Sequence, residues 1–330
     1  MGKFTERGHH RSWLDVVLYR RKTAYATHGI NTIRPLPYYN IFGLQRIGDQ
    51  VWLAGDMRCR GFLMGGTAGR TTLAGEGLQH QDGHSHVLAY GVPTLRCYDP
   101  AFAYELAVII REGIYQMYEL QQPIFYYITI ENEFYVQLEP PPHLDRASLK
   151  EGILKGLYLY QPATGEGIPA QLFGSGAIFN EALKASQLLK AYGVDAAVWN
   201  ITSYKTLHQD ALQVERDNRL HPDSAPKTSY VHNMLKDAKG VFIAASDYLK
   251  ILPDSLARHL PKPMVALGTD GFGRSEARAE LRNFFEVDSR HITVTTLHQL
   301  WQEGQIELSL LQQAMKDLAI NPNKPNPHVS

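Results

Sequence analysis

The chain has 330 residues, and its 33 lysines and arginines balance its 33 aspartates and glutamates. Neither sign forms blocks and no apolar run reaches the roughly 18–20 residues of a membrane span, so we expect no nucleic-acid partner and no membrane partner. Two cysteines are too few for a disulfide framework, which favours a cytoplasmic protein. The length predicts about two domains.

Two elements stand out in the first half of the chain. Residues 101–118 carry apolar side chains at helical spacing, and with Asp99 as N-cap and Pro100 in the first turn they predict a helix. Residues 123–130 are a continuous aromatic and β-branched run, which is typical of a strand buried on both faces of a parallel sheet. Together they predict an αβ unit.

The consecutive prolines 140–142 resist both helix and sheet because they lack backbone N–H donors. We predict a linker here and two domains, residues 1–145 and 146–330. The second half alternates helical patterns, such as residues 177–192, with short apolar runs. These runs, at residues 171–173, 196–201, 240–245 and 263–267, predict a second parallel sheet in an α/β protein.

A glycine-rich turn at residues 268–274 follows the last of these runs and predicts a tight turn that leads into a helix from Ser275. Its glycine spacing differs from G-x-G-x-x-G, and the chain has no P-loop pattern. The turn is therefore not read as a nucleotide-binding motif.

The segment from residue 75 to 86 is the densest in chemistry, and its three glycines predict an ordered loop. Three interpretations stay open from the segment alone. The side chains of His80, Asp82, His84 and His86 could bind zinc or iron. The loop could instead be a structural corner, or an imidazole could act in acid/base chemistry and anion recognition.

Four longer motifs carry a resemblance to a known family. They are residues 38–49 (YYNIFGLQRIGD), residues 60–73 (RGFLMGGTAGRTTL), residues 75–86 (GEGLQHQDGHSH) and residues 268–275 (GTDGFGRS), with Tyr98-Asp99-Pro100 in addition. From about residue 23 onward the chain resembles the homodimeric pyruvate dehydrogenase first component, the thiamine-diphosphate-dependent decarboxylase. The resemblance implies two transketolase-like domains, each a mainly parallel sheet with helices on both faces. The first would be the pyrimidine-binding middle domain, with a poorly matching start over residues 1–37.

The resemblance also implies roles for five residues. Phe42 would pack on the aminopyrimidine ring of thiamine diphosphate, with Tyr39 and Arg46 alongside. His80 and Glu76 would lie near the reacting pyruvate, where the imidazole stabilises negative charge or relays a proton and Glu76 orients it. Read without the resemblance, the two aromatic residues fit core packing, and Arg46 and Arg70 fit ordinary salt bridges.

By resemblance, the reaction is decarboxylation of pyruvate and acetylation of lipoyl groups on the dihydrolipoamide acetyltransferase component, in a homodimer that also needs Mg²⁺. The Gly-Asp-Gly motif of the diphosphate and magnesium half-site is missing from the sequence. The similar segment Gly48-Asp49-Gln50 lacks the second glycine. Glu6 is a weak counterpart of the glutamate that activates the ring, and Arg34-Pro35-Leu36-Pro37 replaces an apolar strand entry. We therefore expect a truncated or frame-disrupted relative with little or no activity alone.

Two alternatives to an intact enzyme remain. The chain could be a non-catalytic interaction remnant that pairs with full-length subunits. It could also be an unrelated metalloenzyme that uses His80, His84 and His86 as ligands.

Overall fold

The computed structural model describes residue 33 and residues 35–330. The first half contains a parallel sheet in the order β1-β2-β4-β3. Its strands are β1 (Pro35–Tyr39), β2 (Phe62–Gly66), β3 (Leu95–Tyr98) and β4 (Phe125–Ile130), and its helices are α1 (Leu44–Asp56), α2 (Ser85–Leu88) and α3 (Ala103–Ile114). Helix α1 packs on one face and α3 on the other, so apolar side chains of alternating strand positions are buried on both sides.

The strand predicted at residues 123–130 is confirmed as β4. It lies in the middle of the sheet, hydrogen-bonded to β2 on one side and β3 on the other. Phe125 and Tyr127 face α1, whereas Tyr126 and Ile128 face α3. A strand covered on both faces needs an unbroken apolar sequence, and this is the pattern that made it recognisable.

The proline-containing segment that replaces the family's apolar strand entry still forms a strand from Pro35 onward. Pro35 and Pro37 lie in β1, which pairs parallel with β2 at the edge of the sheet. An edge strand tolerates proline because the missing N–H donor can lie on the unpaired side.

The predicted start of the helix at residues 101–118 also needs correction. Helix α3 begins at Ala103, and Asp99 is not its N-cap. Instead, the Glu105 carboxylate accepts hydrogen bonds from the backbone N–H groups of Ala101 and Phe102, at 2.6 and 3.0 Å. Glu105 is the third helical residue, and its carboxylate reaches back to the N–H groups of the N-cap residue Phe102 and of Ala101 before it, as in a capping box.

The second half contains a five-stranded sheet in the order β5-β7-β6-β8-β9, with β5 antiparallel and the other pairings parallel. Its strands are β5 (Leu157–Gln161), β6 (Ile168–Gly174), β7 (Val194–Ile201), β8 (Val241–Ala245) and β9 (Met264–Leu267). The helices are α4 (Arg146–Lys155), α5 (Ile178–Lys190), α6 (Tyr204–Leu220), α7 (Tyr230–Leu235), α8 (Ile251–Asp254), α9 (Arg278–Phe285), α10 (Ser289–Gln302) and α11 (Leu308–Asp317). The four predicted strands are confirmed, and apolar clusters cover both faces of this sheet.

Residues 131–145 connect the two sheets without helix or strand. Beyond them, Leu149 and Ile153 of α4 and Tyr158 of β5 pack in the same buried cluster as Phe62 and Tyr126 of the first sheet. The two halves therefore share apolar core, and the boundary between residues 145 and 146 stays a prediction.

Candidate active site

Five side chains for which the resemblance implied functional roles lie together in the structure. The Tyr39 ring stacks on the His80 imidazole, with 5.4 Å between centroids and 28° between planes. The Phe42 ring meets the same imidazole edge-on at 5.6 Å. The Arg46 guanidinium carbon lies 4.2 Å from the centre of the Phe42 ring, and Glu76 Oε2 lies 3.0 Å from His80 Nδ1. We call these residues the aromatic cluster.

The fold explains why they meet. Tyr39 is the last residue of β1, Phe42 lies in the short 3-10 turn that follows, and Arg46 lies in the first turn of α1. Glu76 and His80 are on the glycine-rich loop that leaves the adjacent strand β2. In open α/β sheets, ligands bind in the crevice beyond the carboxyl ends of the strands, and both segments begin at that end.

The aromatic cluster is open to solvent. Tyr39 is 50% exposed, and the side chains of His80 and Glu76 are 29% and 39% exposed. A flat heterocycle or a small anion can therefore reach the imidazole. Arg46 lies over a ring and Arg70 binds a backbone carbonyl, and neither forms a salt bridge with a carboxylate within residues 35–330.

A buried polar network ties the loop to the first sheet. The Asn40 side-chain amide donates to Asp82 and, at 3.2 Å, to Ser85 Oγ, while the Tyr127 hydroxyl donates to Asn40 Oδ1 at 2.5 Å. Asp82 also accepts from the backbone N–H groups of His84 and Ser85, each at 3.1 Å. Because Asn40 lies between Tyr39 and Phe42 in sequence, this network sets the loop relative to the two aromatic rings.

The second half of the chain holds the loop from the opposite side. The Gln81 side chain, 2% exposed, accepts from Arg274 N at 2.7 Å and donates to Arg274 O at 2.8 Å. Gly75 N donates to Glu276 O at 3.0 Å, and the Arg70 guanidinium donates to the Gly271 carbonyl. The glycine-rich turn at residues 268–274 is thus a support for the loop that carries His80.

Asp247 is a further support that sequence reasoning missed. Its carboxylate accepts from Thr71 N at 3.0–3.1 Å, and burial raises its pKa to about 7. Gly69 has φ +82°, and a side chain there would collide with Asp247. A glycine followed two residues later by threonine is too common a pattern to identify such a contact, so only the fold reveals it.

The three histidines of the loop have separate surroundings. His80 pairs with Glu76, and His84 Nδ1 lies 3.6 Å from Asp82 Oδ1. His86 is buried with Nε2 3.3 Å from Thr129 Oγ1, and burial, with a smaller effect of Lys205, lowers its pKa to about 3. Within the described part of the chain, no group of three or more histidine, cysteine or acidic side chains is arranged to hold a metal ion. The metalloenzyme alternative therefore finds no site among these residues.

Two other expectations concern Glu6 and the absence of a membrane span. Glu6, the weak counterpart of the ring-activating glutamate, lies outside the described residues. Within residues 35–330, every helix is too short or too polar to cross a bilayer.

Comparisons with protein families cover most of the chain. Residues 2–138 match the pyruvate dehydrogenase E1 component middle domain, and residues 156–288 match the transketolase-like TK C-terminal domain. The first match includes residues 2–37, which are nearly all of the segment that we predict to match the family poorly.

Individual relatives agree with these matches. The pyruvate dehydrogenase E1 component of Pseudomonas aeruginosa is 49% identical over 308 residues, which are 92% of this chain and 34% of the relative. That of Escherichia coli K12 is 41% identical over 322 residues, or 97% of this chain and 35% of the relative. The chain thus spans about a third of the length of the curated relatives it matches.

Solved structures show the same fold at low identity. Transketolase from Campylobacter jejuni aligns with a TM-score of 0.61 at 16% identity, covering 84% of this chain and 37% of that one. A split gene transketolase, described as an inactive beta4 tetramer, aligns with a TM-score of 0.56 at 14% identity, covering 85% of this chain and 80% of that one. Because the two domain matches span most of the chain and its relatives are similar over 92% and 97% of it, the chain belongs to the pyruvate dehydrogenase E1 component family and corresponds to a C-terminal portion of such a component.

Proposed function

We propose that this chain supplies the aminopyrimidine-binding half of a thiamine-diphosphate-dependent pyruvate dehydrogenase, which decarboxylates pyruvate and acetylates lipoyl groups of a dihydrolipoamide acetyltransferase partner. The observation that carries the proposal is the aromatic cluster, in which five side chains from two strand ends meet at one solvent-open position. The family membership supports it independently.

The residues present fit the ring part of the cofactor. Tyr39, Phe42 and His80 offer partly exposed aromatic surface, against which a flat heterocycle can pack by stacking and dispersion. Arg46 adds a positive charge beside the same surface. When bound, thiamine diphosphate supplies the carbanion chemistry, and the protein supplies orientation and electrostatics.

The pairing of His80 with Glu76 sets which imidazole nitrogen is available. A carboxylate 3.0 Å from Nδ1 accepts the proton on that nitrogen, so Nε2 is left to interact with a substrate. Protonated, His80 donates from Nε2 to the carboxylate or developing oxyanion of a 2-oxo acid. Neutral, it accepts a proton there. We assign proton transfer to His80 and orientation to Glu76.

The diphosphate and Mg²⁺ half of the site requires another polypeptide in this proposal. The second chain would carry the Gly-Asp-Gly motif that this sequence lacks and would face the solvent-open side of the aromatic cluster. A homodimer of a longer chain, or pairing with a full-length subunit, meets this requirement. The half-exposed rings support it, because such apolar surface is commonly covered in an assembly.

A second candidate is a non-catalytic subunit. The structural similarity to a split gene transketolase of comparable span, described as an inactive beta4 tetramer, favours it. By this analogy the chain would fold and associate with a subunit that carries the remaining domain, without turnover of its own.

The experiment is calorimetric titration with thiamine diphosphate and MgCl₂, using this chain alone, a full-length relative alone, and the mixture. We expect no binding to the chain alone, and more sites in the mixture than the relative alone provides. Phe42→Ala should remove those added sites, whereas Trp52→Ala, which removes an exposed aromatic side chain of α1, should keep them. Added sites that persist in Phe42→Ala would refute the cofactor role.

Turnover distinguishes the two candidates. The enzyme proposal predicts acetyl-group formation from pyruvate that increases when this chain is added to the relative. Added binding sites without added turnover would favour the non-catalytic subunit.

A further inference from the structure

A group of buried oxygen atoms lies where the two sheets face each other. Within residues 35–330 the following atoms have no hydrogen-bond partner of normal geometry: Asp99 Oδ2, Glu131 Oε1 and Oε2, Ser175 Oγ and the Tyr204 hydroxyl. Asp99, Glu131 and Ser175 directly follow β3, β4 and β6, and Tyr204 begins α6 after β7. Buried polar atoms are nearly always paired, so this group requires a physical explanation.

The two carboxylates converge on one point. Gly176 has φ +49°, and a Cβ built there would lie 2.8 Å from Asp99 Oδ2 and closer still to Glu131 Oε1. The Ser175 hydroxyl is near enough to Asp99 and Tyr204 to lower the pKa of both. Ser175 and Tyr204 are 0% and 3% exposed, so neither hydroxyl can turn to bulk water.

Within residues 35–330, no lysine, arginine or histidine side chain forms an ion pair with these carboxylates. Among the described residues, the hydrogen bonds of normal geometry to the Asp99 carboxylate reach Oδ1, from Thr129 Oγ1 at 2.5 Å and the Tyr248 hydroxyl at 3.1 Å. Arg282 is paired with two other carboxylates, those of Glu133 and Glu181. A buried anion without a counter-charge is strongly unfavourable.

We propose that Asp99, Glu131 and Ser175 bind one divalent cation of the Ca²⁺ class between the two sheets. The available ligands are all oxygens, which hard cations prefer, and two carboxylates match a charge of +2. Within residues 35–330 neither oxygen of Glu131 has a hydrogen-bond partner of normal geometry, although the Ala177 N–H is close enough to lower its pKa. Glu131 can therefore bind in the bidentate mode common for Ca²⁺. Mg²⁺ retains several waters, and a buried position leaves less room for them.

The raised pKa values of Glu131 and Asp99 agree with a cation site at these carboxylates. Burial first, and the charge of Asp99 second, raise the pKa of Glu131 well above its usual value, and burial raises the pKa of Asp99. A bound cation would relieve this cost and crosslink strand ends of the two sheets. The site uses no residue of the aromatic cluster, so it stands independently of the proposed function.

The test measures ion binding and stability without thiamine diphosphate. Chain stripped of metal is dialysed against ⁴⁵Ca²⁺ at neutral pH, and thermal unfolding is recorded in CaCl₂, MgCl₂ or choline chloride at equal ionic strength. We expect about one Ca²⁺ per chain and a higher unfolding midpoint in CaCl₂ than in choline chloride. Retention of no Ca²⁺ together with equal midpoints in all three salts overturns the proposal, and a shared proton then accounts for the pair.

Variants identify the ligands. Glu131→Gln, which keeps the side-chain shape, should lose the bound ion and the salt-specific shift. Ser175→Ala keeps both carboxylates and should weaken Ca²⁺ binding ~10–100-fold, which provides a test if Glu131→Gln fails to fold. Glu139→Gln, at an exposed position of the same connecting segment, should bind as the wild type does. Unchanged Ca²⁺ binding in Glu131→Gln, or in Ser175→Ala where Glu131→Gln does not fold, overturns the assignment.

Discussion

Glu105 gives the sharpest stability prediction, because a single buried carboxylate satisfies four donors. Oε1 accepts from the Tyr158 hydroxyl at 2.5 Å and from the Asn200 amide at 2.7 Å. Oε2 accepts from the backbone N–H groups of Ala101 and Phe102. Glu105 is fully buried, so water does not replace these bonds without rearrangement. Glu105→Ala should therefore disrupt both the start of α3 and its contact with the second sheet.

The magnitude follows from the number of donors. A buried donor without its partner costs about 1–3 kcal/mol, so four of them set a loss of at least about 4 kcal/mol in the free energy of unfolding. A carboxylate also costs energy to bury, and burial raises the pKa of Glu105 from 4.5 to about 7. Removing the carboxylate relieves that cost, but only at a pH where it is ionised.

The sign of the pH effect can be derived. The unfolded chain releases this proton near pH 4.5, whereas the folded chain holds it to about pH 7. Wild-type stability from this group therefore falls between those values, by roughly 2–3 kcal/mol from pH 5 to pH 8. Glu105→Ala lacks this loss, so the difference between wild type and variant should be larger at pH 5 than at pH 8.

Urea unfolding followed by tryptophan fluorescence at both pH values measures this difference. Glu119→Ala, at an exposed position, is the control and should change stability by less than ~0.5 kcal/mol. A loss below about 4 kcal/mol at pH 5, or an equal loss at both pH values, would refute the reasoning.

Three further predictions concern the supports of the loop. Gln81→Ala should cost ~1–3 kcal/mol and speed hydrogen exchange in residues 75–86, and unchanged exchange would contradict its anchoring role. Gly69→Ala should lower the thermal midpoint more than Gly75→Ala, since both have positive φ but only the first collides with a neighbouring side chain; equal effects would leave backbone strain of about 1–2 kcal/mol as the only cost. Arg282→Ala should cost about 3–5 kcal/mol in chemical unfolding, because the buried Glu181 and the partly buried Glu133 lose their cation, and a near-neutral result would contradict a stabilising role for these ion pairs.

Some parts of the site could be predicted because their signals are local. The motif at residues 38–49 carries Tyr39 and Phe42 at the end of β1, and the motif at residues 75–86 lies on the loop that leaves the neighbouring parallel strand β2. The rings of Tyr39, Phe42 and His80 meet beyond these two strand ends. Their roles in binding and catalysis remain a proposal.

The start of α3 shows where local reasoning fails. Asp99 and Pro100 form a common helix-start pattern, yet the fold uses Asp99 at the junction of the two sheets, where it accepts from Thr129 and Tyr248. Tyr248 is 149 positions away in sequence. A propensity rule that considers a few neighbouring residues contains no information about such a partner.

The sequence by itself determined the α/β class, the central strand β4 and four of the five strands of the second sheet, because periodicity and apolar runs are properties of short segments. Its motifs, through family resemblance, also named the five residues that meet in the aromatic cluster. Only the tertiary structure decided that the second half supports the His80 loop, through Gln81 with Arg274 and Thr71 with Asp247. These contacts join residues 176 and 193 positions apart. Their energy depends on the burial of both partners, which exists only once the two sheets have packed together.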